Sequence, residues 1–272
     1  MKLSIYGATG FIGRNFNFLY PYHNVIEREE RKPKSENILY LISTVENHNL
    51  YFDASKHINT NLYILCEVLN YCKKEDIVFN FVSSSLVYGK LDDLPAKESS
   101  ICSPKGFYSI TKKCAEDLII SFSETFNLKY RIIRLCNVLG RGDENISNKR
   151  NTLTWMINNL KENKNIDLYD KGEQVRDIIH VKDACKAIEL ICRLGEKNQI
   201  YNVSSGKAIT IKDFITIAKN KLKSNSRISY IETPTFNSVV QNKYFWMDTK
   251  KLLSLGFRIN YSHEDIINEL CN

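Results

Sequence analysis

The glycines near the amino terminus constrain the fold of this chain more than any other feature. The apolar run LSIY ends at Gly7, and Gly10 and Gly13 follow at intervals of three in GATGFIG. The segment FIGRNFNFL then places apolar side chains at helical spacing. We therefore predict a strand, a tight glycine turn and a helix, which together form a site for the pyrophosphate of a dinucleotide at the positive end of the helix.

A second feature is a tyrosine and a lysine four positions apart, Tyr108 and Lys112. The residues after Tyr108 indicate a helix, on which side chains four apart share a face. A phenol with a pKa of about 10 is a poor base unless a nearby cation favours its phenolate. Lys112 is such a cation, so we interpret the two residues as a proton-transfer pair. The alternative is an ordinary solvated start of a helix.

Serines follow a buried-type strand upstream of this pair. IVFNFV is continuously apolar apart from one asparagine, and the serines of VSSSLVYG lie at its carboxyl end. Ligands of open parallel sheets bind at that end of the strands. A serine hydroxyl there can donate to a substrate oxygen and accept from the tyrosine, which predicts a relay of serine, tyrosine and lysine. Turn formation is the alternative role of such serines.

Strand and helix patterns alternate along the first half of the chain. This alternation predicts an α/β protein with a Rossmann-type, doubly wound parallel sheet. TLTWMINNLKEN, KAITIKDFITIAKNKL and HEDIINELC are predicted to be helical and to belong to a smaller substrate-binding lobe. The expected division assigns residues 1–140 and about 174–203 to the larger domain and residues 141–173 and 204–272 to the smaller lobe, within one compact unit.

Six motifs in order give the chain a family resemblance over nearly its whole length. They are GATGFIG, SSSLVYG, YSITKKCAE, RLCNVLGRG, VRDIIHVKDAC and IYNVSSGKAITIKDF. With them the chain resembles an extended short-chain dehydrogenase/reductase of the NAD-dependent epimerase/dehydratase family, which acts on nucleotide sugars. The GxxGxxG spacing is also the short-chain type. The resemblance implies an NAD(P)-binding larger domain and a nucleotide-sugar substrate.

The resemblance implies three catalytic residues, Ser84, Tyr108 and Lys112. The 4,6-dehydratases of the family carry Asp and Glu at the two positions after the catalytic serine. This chain has Ser85 and Leu86 there, so the acid and base that remove water from the sugar are absent. We therefore do not expect dehydration.

The cofactor site is predicted to include the glycine turn and the catalytic pair. Its residues are Gly7, Thr9, Gly10, Phe11, Ile12, Gly13, Glu27, Arg28, Tyr108 and Lys112. The family normally has two further strands and a helix between the first helix and ILYLIS, and only YPYHNVIEREERKPKSEN stands there. Glu27 could bond ribose hydroxyls and favour NAD, whereas Arg28, Arg31 and Lys32 could receive the extra phosphate of NADP. The sequence leaves NAD or NADP open.

Substrate contacts follow from the same resemblance. The predicted substrate-binding residues are Ser84, Ser85, Asn137, Tyr169, Arg176 and Lys243. Asn137 and Arg176 match family contacts to the diphosphate, for which an arginine fork is well suited. An ion pair with Asp177 or another surface acid is the alternative for Arg176, and a place in the core is the alternative for Tyr169. His180 and Asp183 are expected to bond a loop without a catalytic role.

Composition agrees with a cytoplasmic enzyme. The chain has 272 residues, is 43% apolar and has a formal charge of +7, with lysines scattered instead of forming a nucleic-acid-binding stripe. No apolar run approaches membrane-spanning length. The eight cysteines show neither a CxxC pair nor zinc spacing, so we predict reduced thiols and no metal site. From the family we expect a possible homodimer.

The leading hypothesis is a reductase for the 4-keto group of an NDP-(deoxy)hexose, in polysaccharide precursor biosynthesis. The shortened adenosine side suggests a cofactor that exchanges with solvent, which favours net reduction. The runner-up is a 4-epimerase that uses the same residues and retains its NAD. A third hypothesis is a non-catalytic dinucleotide sensor, since a fold does not determine a function.

Overall fold

The structure of the protein is a computed structural model that describes residues 1–44, 53–73, 76–143 and 151–272. These residues form eleven strands and ten α-helices. The strands are β1 (Leu3–Tyr6), β2 (Asn24–Val25), β3 (Asn37–Tyr40), β4 (Val78–Ser84), β5 (Lys129–Leu135), β6 (Asn137–Leu139), β7 (Ile166–Tyr169), β8 (Val175–His180), β9 (Gln199–Val203), β10 (Ala208–Thr210) and β11 (Ile228–Ile231). The helices are α1 (Phe11–Leu19), α2 (Ser55–Ile58), α3 (Ile64–Tyr71), α4 (Phe107–Phe126), α5 (Thr152–Lys161), α6 (Val181–Leu194), α7 (Ile211–Leu222), α8 (Thr235–Val240), α9 (Lys250–Ser254) and α10 (His263–Cys271).

Six parallel strands form the central sheet, in the order β2, β1, β3, β4, β5, β9. The strands β1 and β4 are buried along their whole length, as expected when helices cover both faces of a parallel sheet. All six strands run in one direction, so the glycine turn after β1 and the serines that end β4 meet at the same edge.

Two hydrophobic clusters cover the two faces of this sheet. One contains Phe16 of α1 and the apolar face of α6. The other contains Leu65 of α3 and Ala115 and Ile119 of α4. The prediction of a doubly wound parallel sheet is thus confirmed.

A third cluster lies around β7 and three helices, α5, α7 and α10. Two small sheets border it: β8 lies between β6 and the antiparallel β10, and β7 pairs with β11. The prediction that residues 207–222 are wholly helical is wrong at its start, because residues 208–210 form β10. Pairing with β8 overrides their helical pattern, and the Thr210 hydroxyl then caps α7 by accepting from the Asp213 N–H at 2.9 Å.

The predicted division into two lobes stays a prediction. Residues 144–150 of the expected smaller lobe lie outside the described residues. In the part described, Phe245, Met247 and Phe257 pack into the same cluster as α1 and α6.

The chain between α1 and β3 is short and nearly without regular structure. It contributes only the two-residue edge strand β2, and residues 26–36 form turns without a helix. The sheet therefore ends at β2, where the adenosine half of a dinucleotide would lie.

No helix in the described ranges is both long enough and apolar enough to cross a membrane.

The glycine turn makes a prediction about stability. A Cβ at Gly13 would stand 2.3 Å from the Gly7 carbonyl oxygen and 2.7 Å from the Ala8 Cα, whereas one at Gly10 would meet nothing nearer than 3.5 Å. We expect Gly13→Ala to lower the free energy of unfolding by about 1–3 kcal/mol. Gly10→Ala is the matched control and should stay within about 1 kcal/mol of the wild type. Urea denaturation of both variants measures the difference; equal stabilities would contradict this packing.

Candidate active site

Ser84, Tyr108 and Lys112 come together where β4 ends beside the first turns of α4. The side chains of Ser84 and Tyr108 are hydrogen-bonded to each other. The Ser84 hydroxyl also accepts from the Leu86 N–H at 3.2 Å, which begins a 3₁₀ turn over Ser85–Tyr88. The serine is therefore held by its own turn while it faces the tyrosine.

Lys112 lies one helical turn after Tyr108 and is only 3% exposed. Its ammonium donates to the Val82 carbonyl oxygen at 2.8 Å and lies 4.6 Å from the centre of the Phe81 ring. Burial lowers the pKa of Lys112 to about 7, and the charge of Glu116 partly opposes that effect. An ammonium has three donors, so the lysine can still bind the hydroxyls of a ribose.

Tyr108 is half-buried. Burial raises the pKa of Tyr108, and its hydrogen bond with Ser84 opposes the rise. At neutral pH the phenol therefore carries its proton, which makes it an acid in the protein without ligands.

A buried polar network lies beneath these residues. The Glu116 carboxylate, fully buried on α4, accepts from the Ser83 hydroxyl of β4 at 2.5 Å. It also accepts two hydrogen bonds from the Arg134 guanidinium of β5, at 3.0 and 2.7 Å. The guanidinium in turn lies 4.7 Å from the centre of the Tyr88 ring. The network joins α4 to both strands that it packs against.

The glycine turn fits a dinucleotide pyrophosphate. Gly7 has a φ of +81°, and a Cβ there would press on the backbone of residues 41 and 42 at about 3 Å. Gly13 lets α1 approach the turn closely. Gly10 has ordinary backbone angles and open space, so the described protein gives no packing reason for a glycine there. Room for a ligand against that backbone is a sufficient reason.

Some of the other predicted cofactor residues lie at this turn, and the rest lie just after the edge strand β2. Phe11 and Ile12 are in the first turn of α1, whose N–H groups have no partner within a helix, and Thr9 is exposed before it. Glu27 and Arg28 are exposed just after β2.

Arg31 is placed differently from Arg28 and Lys32. It donates to Glu67 at 2.7 Å and to the Arg28 carbonyl oxygen. Of the three cations considered for an NADP phosphate, Arg28 and Lys32 are therefore the exposed ones.

A cavity of about 810 Å³ opens beside the carboxyl edge, within the usual size range of small-molecule sites. Five cationic side chains line it against two acidic ones, so we call it the cation-rich cavity. The cations are Lys90, Lys105, Lys171, Arg176 and Lys243, and the acids are Asp170 and Glu232. Its other walls include Gln174, Gln241, Asn242, Tyr230 and Tyr244.

Arg176 reaches this cavity from β8. Its guanidinium donates to the carbonyl oxygens of Val175 and Asn242 at 2.9 and 2.8 Å and to the Gln241 side chain at 3.1 Å. Burial lowers the pKa of Arg176 to about 10, and its partners within the described residues are all uncharged. The alternative of an ion pair with Asp177 is not what the structure shows, since Asp177 accepts from Ser205 and Met247.

Lys243, Tyr169 and Asn137 differ in their relation to the cavity. Lys243 lines it but pairs with Asp170 at 2.7 Å, which raises the pKa of the lysine. Tyr169 ends β7 and is half-buried beside the cavity-lining strand β11, with Ile231 as its partner. Asn137 is exposed on β6 and donates to the Asp177 carbonyl oxygen at 3.0 Å. Neither Tyr169 nor Asn137 is among the lining residues.

His180 and Asp183 bond the loops around them, as predicted. His180 accepts from the Lys182 N–H and contacts the Glu269 carboxylate at 3.2 Å. Asp183 accepts from the N–H groups of Asn260 and Tyr261 at 2.8 and 3.0 Å.

Across the described ranges, no group of three or more His, Cys, Asp or Glu side chains is arranged to hold a metal ion.

The sequence reasoning missed most of the cavity wall. Lys90 follows the VYG motif directly, and Lys105 stands three residues before Tyr108, so their positions in the motifs were a usable signal. Tyr230 and Tyr244 lie in segments that the motifs do not cover, and only the fold brings them to the cavity.

Comparison with known proteins identifies the family. A sequence model of the NAD dependent epimerase/dehydratase family matches residues 36–204, more than half of the chain. The chain belongs to this family. The match begins just before β3, after the shortened segment, and the prediction of an NAD-dependent enzyme of this family is confirmed.

Two curated relatives are similar over most of the chain. The low-salt glycan biosynthesis protein Agl12 of Haloferax volcanii is 26% identical over 78% of the chain and 66% of its own length. The dTDP-4-dehydro-6-deoxyglucose reductase of Escherichia coli is 25% identical over 91% of the chain and 76% of its own length. The chain thus spans about two thirds to three quarters of these relatives.

Solved structures share the fold. The UDP-glucose 4-epimerase of Thermotoga maritima, solved with UDP-glucose, has a TM-score of 0.88 and 19% identity. The similarity covers all of this chain and 97% of that one. It confirms the Rossmann-type architecture.

The lowered pKa of Lys112 predicts how stability depends on pH. The unfolded chain keeps this proton up to about its usual pKa of 10.5, whereas the folded chain releases it near pH 7. The unfolded state therefore binds more protons between these values, and the free energy of unfolding rises with pH. Relative to Lys112→Met, the wild type should gain about 2 kcal/mol between pH 7 and pH 9.

Urea denaturation of the ligand-free protein at both pH values measures this gain. Lys113→Met is the matched control, because it removes the neighbouring lysine, which pairs with Asp117, and keeps Lys112. It should follow the wild-type pH dependence. Parallel profiles for the wild type and Lys112→Met would rule out a titration of Lys112 in this range.

Proposed function

We propose that the protein is an NAD(P)-dependent oxidoreductase that reduces the 4-keto group of an NDP-(deoxy)hexose. The observation that carries the proposal is the hydrogen bond between Ser84 and Tyr108, one helical turn from the buried Lys112, together with the cation-rich cavity, whose lining includes Lys105, three residues before Tyr108. Tyrosine can give a proton to a developing alkoxide, and the cavity can hold a diphosphate. The reductase from Escherichia coli supports the reaction class.

Each residue of the candidate site has a separate role in the proposed reaction. Tyr108 donates its proton to the sugar oxygen, Ser84 holds that oxygen in place, and Lys112 binds the nicotinamide ribose. Arg176 binds the diphosphate through its planar fork. When bound, the nicotinamide supplies the hydride.

Two features favour net reduction over 4-epimerisation. The phenol of Tyr108 starts as an acid, which a reduction needs, whereas an epimerase must first remove a proton from the sugar hydroxyl. The turns between β2 and β3 offer the adenosine half few contacts, which suits a cofactor that binds and leaves in each cycle. Either NADH or NADPH fits the exposed Glu27, Arg28 and Lys32.

The assembly and the location are also proposals. Exposed apolar side chains on α4 and on the turn and helix beside it, including Tyr63, Ile110 and Phe126, support a homodimer. A mass of twice the chain mass, measured by light scattering, would establish it.

All eight cysteines are without disulfides, which supports a reducing, cytoplasmic location.

The experiment that tests the reaction starts from protein purified without added cofactor. Denaturation followed by mass spectrometry identifies any nicotinamide dinucleotide or nucleotide sugar that is released. A reductase should release none and should bind NADH or NADPH reversibly. Release of stoichiometric NAD would overturn the proposal in favour of a 4-epimerase.

Replacing the proton donor separates catalysis from binding. Tyr108→Phe should lower turnover of a 4-keto nucleotide sugar by about 10²–10⁴-fold, because it removes the donated proton and keeps the ring. The Kd for the cofactor should not change. Oxidation of the reduced nicotinamide measures turnover, and near-wild-type rates would remove Tyr108 from the mechanism. A wild-type protein that binds the cofactor but never oxidises it would favour the sensor.

A further inference from the structure

The cation-rich cavity holds more positive charge than a sugar diphosphate requires. Each phosphate of the diphosphate carries one negative charge. Lys243 is already neutralised by Asp170 at 2.7 Å and faces Glu173 at 3.7 Å. Arg176 and Lys171, which also line the cavity, supply two positive charges, equal to the charge of the two phosphates. Lys90 and Lys105 remain, and within the described residues neither has an ion-pair partner.

These two lysines lie together on the wall nearest to the catalytic helix. Lys90 follows Gly89, and Gly89 is bridged to Ser103, whose N–H donates to the Tyr88 carbonyl oxygen at 3.0 Å. Lys105 stands two residues after Ser103, immediately before the start of α4. The Asn242 side chain donates to the Gly89 carbonyl oxygen at 2.6 Å and joins this wall to the opposite one.

The position of the lysines indicates which part of the ligand they face. Tyr108 is not a lining residue, but Lys105, three residues before it, lines the cavity. Under the proposed function, a sugar whose C4 oxygen meets Tyr108 therefore enters the cavity at its α4 end, and its diphosphate extends towards Arg176. Lys90 and Lys105 are thus beside the sugar. Two lysines without ion-pair partners among the described residues favour an anion, and for Lys105, two residues before α4 begins, the positive end of the helix dipole adds to the effect.

We propose that the sugar bound in this cavity carries a carboxylate, which Lys90 and Lys105 recognise. The proposal rests on the proposed function and narrows its substrate class to nucleotide-linked sugar acids, which excludes the 6-deoxy sugars from that class. It concerns recognition and involves no covalent step. The acidic Glu232 also lines the cavity, and within the described residues it forms no ion pair with either lysine.

Binding to the full chain tests the inference. Isothermal titration first compares UDP, dTDP and GDP, and the tightest nucleotide is then used as its glucose and its glucuronate conjugate. These conjugates differ only at C6, so their ratio of Kd values isolates the carboxylate. We expect the glucuronate conjugate to bind about tenfold more tightly at low salt, and the preference to shrink as salt is raised.

Variants then assign the preference to residues. In the double variant Lys90→Gln, Lys105→Gln, the Kd values of the glucose and glucuronate conjugates should become about equal. The Kd of the glucose conjugate should stay nearly unchanged. Lys171→Gln, on the diphosphate side, should weaken both conjugates by the same factor. Lys197→Gln removes an exposed lysine outside the cavity and should change neither Kd.

The outcomes separate this inference from the proposed function. Equal Kd values for the two conjugates in the wild type, or equal weakening of both in the double variant, would overturn the carboxylate site and leave the nucleotide-sugar site intact. The second result would assign the lysines to the diphosphate. If no nucleoside diphosphate or conjugate binds, the proposed function fails and the inference fails with it.

Discussion

The buried ion pair between Glu116 and Arg134 holds α4, β4 and β5 in register. Glu116 is fully buried and Arg134 is 2% exposed, and the Ser83 hydroxyl adds a third hydrogen bond to the carboxylate. Removing one partner of such a pair leaves an uncompensated charge, at a cost of about 3–5 kcal/mol. Because α4, β4 and β5 each contribute one partner, the helix cannot slide or rotate against the sheet without breaking the network. The positions of Tyr108 and Lys112 opposite Ser84 follow from this constraint.

The same network also shapes the electrostatics of the site. Arg134 neutralises Glu116, so the carboxylate opposes only in part the effect of burial on Lys112, whose ammonium contacts the Phe81 ring and one carbonyl oxygen. The half-buried Tyr108 keeps its proton because burial raises its pKa. Packing of α4 thus prepares a proton donor before any ligand binds. This polarity suits a reaction that ends with a proton on the substrate oxygen.

Local signals in the sequence predicted the elements that local interactions determine. FIGRNFNFL and HEDIINELC form α1 and α10 with the predicted bounds, the second aided by a capping box between Ser262 and Asp265. The short strands β2, β6, β7 and β11 have two to four residues each. Only pairing with distant segments stabilises them, so no local sequence pattern predicted them.

The candidate site likewise was predictable only where local motifs determine it. The motifs contain the predicted catalytic residues, but the cavity brings together Lys90 and Tyr230, which lie about half the chain apart in sequence.

The cofactor side and the substrate side of the candidate site offer different numbers of fixed groups to a ligand, and this difference affects which ligand the protein recognises. On the cofactor side, the described residues between α1 and β3 supply one two-residue strand and turns, with Arg31 engaged by Glu67. On the substrate side, the walls bring five cations and two tyrosines together from segments far apart in sequence. A binding site gains specificity from groups held in place before the ligand arrives. Under the proposed function, selectivity should therefore reside in the cation-rich cavity, and the adenosine half of the cofactor should contribute little to affinity.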